Sequence, residues 1–107
     1  MNILFICSKN RWRSLTAEKM YRDKPGLSVQ SAGTSENARI RVSSKHLKWA
    51  DIIFVMEHKQ QDILEEKFPQ ELQNKNIVNL DIPDRYTYMD KELVELLGQV
   101  DQILNEM

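Results

Sequence analysis

Cys7, Arg13 and Ser14 stand at a spacing that suits attack of sulfur on phosphorus. They lie in the run Phe5-Ile6-Cys7-Ser8-Lys9-Asn10-Arg11-Trp12-Arg13-Ser14, and Cys7 is the chain's only cysteine. It ends an apolar segment that reads as a strand, and a helical segment begins at Leu15. A loop between strand and helix offers free backbone N–H groups and the positive end of the helix dipole, which together hold an anion. The thiolate is the nucleophile, and at the ordinary thiol pKa of about 8.5 it is a minor species at neutral pH. The helix end, the amides curling from Ser8 to Arg13 and a hydroxyl donated by Ser14 all favour that anion. Arg13 can fork across two oxygens of a bound phosphate, a geometry lysine does not reproduce.

The bland alternative is a small buried strand residue, as free cysteines often are. Six Arg and ten Ser or Thr among 107 residues put chance odds of roughly half a percent on an Arg-[Ser/Thr] pair at this offset. The strand–loop–helix context weighs further against it.

Phosphoryl transfer through cysteine also needs a proton donor for the leaving oxygen, and the same group can later activate water. The run Asp81-Ile82-Pro83-Asp84-Arg85-Tyr86 supplies two carboxylates. Pro83 fixes the backbone just before Asp84, in a loop that can overhang the Cys7 pocket, so Asp84 is the expected acid. Asp81, at a strand end, is expected to cap the turn.

These groups need a scaffold that brings positions 7 to 14 and 81 to 86 together. Asn2 to Ile6 reads as a buried strand, apolar on consecutive positions as parallel strands are. Leu15 to Arg22 reads as a helix stopped by Pro25-Gly26, and Leu27 to Ala32 as a second strand. Ser43 or Ser44 can cap a short helix through Trp49, whose ring is expected in the core. Ile52 to Met56 is the strongest strand, Glu57 to Phe68 a polar helix, and Asn76 to Leu80 a fourth strand. Asp90 can cap one final helix, with Leu93, Leu97, Val100 and Leu104 at a 3–4 spacing.

Strands alternating with helices imply right-handed crossovers and a parallel sheet. The expected class is α/β, a flavodoxin-like three-layer fold with four parallel strands in the order 2-1-3-4. Such folds bind ligands beyond the carboxyl ends of the strands, where Cys7 and Asp84 both fall. Residues 1–107 are expected to form one domain.

Fifteen basic residues against sixteen acidic ones give a net charge of −1, which makes no case for nucleic acid or membrane. No secretory or membrane-length apolar segment is present, and a lone cysteine sets aside a disulfide framework. A reducing cytoplasm is the default compartment. His46 and His58 have no partner at metal-ligand spacing, and no cofactor is expected.

The chain resembles the low-molecular-weight protein tyrosine phosphatases. Their Cys-X5-Arg-Ser loop is matched by Cys7, Arg13 and Ser14, and its central asparagine by Asn10. Ser31-Ala32-Gly33-Thr34 is similar to the family's Ser-Ala-Gly-Thr, whose serine braces that asparagine, and Ala50 to Met56 to its central strand. Asp84 falls on the general-acid aspartate, and Tyr86 on the aromatic that flanks the substrate ring. The resemblance implies that Cys7 forms a phosphocysteine, that Arg13 and the amides of Ser8, Lys9, Asn10, Arg11, Trp12 and Ser14 bind phosphate, and that Asp84 protonates the leaving phenolate. It implies no metal. Expected partners are a phosphorylated protein or small aryl phosphate, and inorganic phosphate or another oxyanion.

The departures sit on the pocket wall. Lys9 replaces the family's loop glycine and is expected to strain any backbone needing a positive φ. Trp12 replaces its second loop cysteine, and Arg85 the proline after the acid. Arg11 and Arg85 are expected to add positive charge at the rim, beside Tyr86. A disulfide-shuttling arsenate reductase needs further cysteines, and a cysteine-phosphorylated sugar-transport component has no use for a hydrolytic acid. A catalytically weak phosphate- or phosphoprotein-binding module on the same fold is the alternative.

Overall fold

Ile3 to Cys7 and Ile52 to Met56 are buried at every position, as strands covered on both faces must be. The computed structural model describes residues 1–107. Its strands β1 (Asn2–Cys7), β2 (Ser28–Gly33), β3 (Ile52–Val55) and β4 (Asn76–Asn79) form one parallel sheet in the order β2-β1-β3-β4. This is the expected flavodoxin-like α/β arrangement. The helices are α1 (Arg13–Tyr21), α2 (Ser44–Trp49), α3 (His58–Lys67), α4 (Lys91–Leu97) and α5 (Gln99–Asn105).

Alternate strand residues feed two cores, as the two-residue period of a strand requires. Ile3, Phe5, Ile52 and Phe54 pack against Ala17, Tyr21, Leu93, Leu97 and Val100 from α1, α4 and α5. Leu4, Ile6, Ile53 and Val55 face the other way, onto Leu47 of α2 and Leu64 of α3. Tyr21 Oη donates to the Leu97 carbonyl at 3.0 Å and ties α1 to α4. Truncating a fully buried ring such as Phe54 to alanine would cost about 3–5 kcal/mol. No helix is long and apolar enough to cross a membrane.

Two local expectations are corrected. The terminal helix is two, α4 and α5, parted at Gly98, the weakest helix former in the stretch. Trp49 is only partly buried, packed at the edge of the second core. His46 lies at the N-terminal end of α2, as expected of a helix-end histidine: its Nδ1 accepts from the Ser43 backbone N–H at 3.0 Å and closes the box that starts the helix. Burial holds the His46 pKa below its ordinary 6.5.

Gly33 brings β2 against the loop that leaves β1. A Cβ there would collide with the Ser8 carbonyl oxygen and lie 2.7 Å from Ala38 Cβ. With no side chain in the way, Thr34 N–H reaches the Cys7 carbonyl at 3.0 Å and Ser35 N–H the Ser8 carbonyl at 2.9 Å. Arg39 adds its own N–H to the Lys9 carbonyl at 2.9 Å and its Nε to the Asn10 carbonyl at 3.1 Å. The carbonyls of Cys7, Ser8, Lys9 and Asn10 are thereby occupied.

Candidate active site

The helix α1 begins at Arg13, two residues earlier than its apolar pattern suggests, so Arg13 and Ser14 form its first turn. Cys7 ends β1 and is 3% exposed. Between them the chain turns through Asn10, whose φ of 56° is the loop's one left-handed residue. Strain was expected at Lys9; the structure moves the turn to Asn10, a residue type that tolerates that region. Lys9 has no positive φ and lies exposed.

A hydrogen-bond chain ends on the sulfur. Asn10 Nδ2 donates to Ser14 Oγ at 2.7 Å and to Ser31 Oγ at 2.8 Å. Ser31 Oγ in turn donates to Glu18 Oε1 at 2.7 Å. The carboxylate can only accept, so it fixes the order of donors and the orientation of the Asn10 amide. Ser14 Oγ accepts from Asn10 and lies 2.9 Å from Cys7 Sγ, where either atom can be the donor. The Asn10 backbone N–H donates to the sulfur at 3.1 Å. Asn10 Oδ1 is left buried without a partner, a cost of about 1–3 kcal/mol concentrated, like the strained φ, in this loop.

Two side chains from α3 clamp the loop, and neither was expected from sequence. Gln60 Nε2 donates to Ser8 Oγ at 3.0 Å, at the start of the loop. Glu57 Oε1 accepts from Arg13 Nη1 at 2.6 Å, at its end. Glu57 and Gln60 are the cap and third residue of α3, joined by a 2.6 Å bond from Glu57 N–H to Gln60 Oε1. The signal was present as Glu57-His58-Lys59-Gln60 after the strongest strand, a capping-box pattern. Burial alone would raise the Glu57 pKa; the hydrogen bond and charge of Arg13 outweigh it and hold the carboxyl below its ordinary 4.5.

The loop after β4 is tied down at both ends. Ile82 N–H donates to the Met56 carbonyl at 2.8 Å, and the Ile82 carbonyl accepts from Arg13 Nη1 at 2.8 Å. Met89 N–H donates to Thr16 Oγ1 at 3.0 Å on α1. Between these anchors Asp84 Oδ1 comes to 3.8 Å from Arg13 Nη2. Asp81 has a φ of 56°, and its N–H is bound by Asn79 Oδ1 at 2.9 Å. Asp81 does not cap the turn; Asn79 does.

Cys7, Lys9, Arg11, Trp12, Arg13 and Asp84 line a cavity of about 130 Å³. The structure thus brings together the nucleophile, arginine and carboxylate singled out by sequence, with Asp84 rather than Asp81 at the cavity. Lys9 and Arg11 at its mouth make no ion pair. The cleft expected around Tyr86 and Arg85 is corrected. Tyr86 is 4% exposed and packs in the core with Leu80, Ile82 and Leu93, because its ring is drawn under the apolar face of α4. Arg85 leans away, its Nε on Tyr86 Oη at 3.2 Å and its Nη2 3.7 Å from Glu92 Oε1. No group of three or more His, Cys, Asp or Glu side chains is gathered as a metal ion would need.

No family model and no curated protein sequence matches the chain. Solved structures do. The low-molecular-weight protein tyrosine phosphatase of T. tengcongensis superposes with a TM-score of 0.82 at 20% identity, over 100% of this chain and 99% of that one. The tyrosine phosphatase Wzb of Escherichia coli K30, solved with phosphate, gives 0.79 at 20% identity over 98% and 96%. The YwlE arginine phosphatase of Geobacillus stearothermophilus gives 0.76 at 23% identity over 98% and 93%. The fold is that of the low-molecular-weight phosphatases along its whole length.

Proposed function

We propose that this chain is a metal-independent phosphomonoester hydrolase of the low-molecular-weight protein tyrosine phosphatase family, with residues 1–107 acting as one domain. The observation that carries the reading is that Cys7 Sγ, met by the Asn10 N–H and within hydrogen-bond reach of Ser14 Oγ, lies in a cavity that Arg13 and Asp84 also line. Its substrate is a phosphorylated protein or small aryl phosphate, and its product is inorganic phosphate.

In the first step Cys7 Sγ bonds to phosphorus as the ester P–O bond breaks, and the leaving oxygen takes the proton of the Asp84 carboxyl. The Arg13 guanidinium and the amides of the Ser8–Ser14 loop meet the charge on the phosphoryl oxygens. In the second step water attacks phosphorus and gives its proton to the Asp84 carboxylate. The S–P bond then breaks, its electron pair returns to sulfur, and phosphate leaves. Glu57 and Gln60 hold the loop's two ends still while charge moves between them.

Neighbouring structures include enzymes named for phosphotyrosine and for phosphoarginine. Lys9 and Arg11 at the mouth favour the former. A guanidine leaving group carries positive charge past two unpaired cations, whereas a phenol does not.

The test is turnover of p-nitrophenyl phosphate by the wild type and its loss in Cys7→Ser. Equal inertness of both, with equal binding of inorganic phosphate, would make the chain a binding module instead.

A further inference from the structure

Trp12 holds a position that ordinary helix chemistry assigns to another residue type. It is the N-cap of α1, where Ser, Thr, Asp or Asn would accept from a free N–H, and its side chain makes no cap bond. The residue is 45% exposed, outside both cores, and takes part in no ring pair or cation–π contact. A break of a local rule at a residue that lines the cavity points to function.

The cavity says what that function is. Its roughly 130 Å³ is well below the order of 300–1,000 Å³ that encloses a drug-sized ligand, so it takes in the phosphoryl end and leaves the ester's organic part at the mouth. Of the six lining residues only Cys7 and Trp12 are apolar, and Cys7 is the buried floor. The indole is the one aromatic surface among the lining residues. Tyr86, buried under α4, offers no second wall.

We infer that Trp12 is the platform for the leaving group: its indole stacks on the ring of an aryl phosphate seated over Cys7 and selects aryl over alkyl esters. The inference rests on the phosphatase reading for its substrate, and its ring geometry is the offset or edge-on stacking that aromatic pairs prefer. Trp12 is a specificity residue, separate from the groups that break the P–O bond.

The test compares kcat/KM for phenyl phosphate and β-glycerophosphate in wild type, Trp12→Ala and Trp12→Phe. The aryl-to-alkyl ratio is expected to fall about five- to tenfold in Trp12→Ala and to recover most of that in Trp12→Phe. An unchanged ratio, or equal losses on both esters in Trp12→Ala, overturns the inference. A second readout uses binding alone. With Trp49→Phe, Trp12 becomes the sole tryptophan, and in a Cys7→Ser background phenyl phosphate should shift its emission and bind more tightly than inorganic phosphate. Equal affinities overturn the platform. If the wild type hydrolyses neither ester, the phosphatase reading falls, and this binding preference still decides the role of Trp12.

Discussion

Glu57 Oε1 accepts from Arg13 Nη1 at 2.6 Å, joining the end of the Cys7–Arg13 loop to the cap of a helix 44 residues further along the chain. The same guanidinium nitrogen donates to the Ile82 carbonyl at 2.8 Å, while Nη2 lies 3.8 Å from Asp84. Arg13 is therefore oriented by groups on its Nη1 side before any phosphate arrives, with Nη2 turned to the cavity.

Removing that hold should cost transition-state binding. Glu57→Ala is expected to lower kcat/KM on p-nitrophenyl phosphate by about ten- to a hundredfold, the size of one charged hydrogen bond. Glu57→Gln keeps an acceptor without the charge and should fall between that and wild type. Steady-state kinetics checks both, and an unaltered kcat/KM in Glu57→Ala would refute the orienting role.

The lowered Glu57 pKa has a stability consequence of definite sign. A carboxyl depressed by folding contributes stability that is present above its unfolded value and lost as pH falls through its folded one. Urea midpoints should therefore drop as pH goes below 4.5. The drop should be smaller in Glu57→Gln, and equal slopes in the two proteins would contradict the ion pair.

His46 gives a second pH signature. Its Nδ1 must be unprotonated to accept from Ser43 N–H, and burial already favours the neutral ring. A depressed histidine stabilises fully above its unfolded pKa and loses that contribution as pH falls through its folded one. An NMR titration should place the His46 midpoint below 6.5; a midpoint at or above it would contradict the cap.

Charge at the mouth belongs to Lys9 and Arg11, since Arg85 is turned toward Glu92. A Lys9→Ala, Arg11→Ala double variant should lose affinity for an acidic phosphopeptide, and raising salt should shrink the loss by screening. Arg85→Ala should change it little. Equal effects from the double variant and Arg85→Ala would return Arg85 to the rim.

Much of the site was legible because it is local. Cys7, Asn10, Arg13 and Ser14 lie within one loop, and their types and spacing carry the chemistry directly. Ser31 reaches Asn10 because β2 pairs in register with β1, an outcome of the parallel topology. Glu57 and Gln60 act through the cap of α3, whose spacing is visible in sequence although what the cap touches is not. Their role appears once β3 is placed beside β1. Tyr86 was misplaced for the opposite reason. Its neighbours in sequence are polar, but Leu93 and Leu97 of α4 fold over it and bury the ring.

The central claim is that phosphorus passes through sulfur. Acid quench of wild-type protein turning over p-nitrophenyl phosphate, followed by peptide mass spectrometry, measures this directly. A phosphoryl group on the Cys7 peptide, absent in Cys7→Ala along with turnover, is the predicted result. Continued hydrolysis by Cys7→Ala, with no adduct on the wild-type peptide, would contradict it.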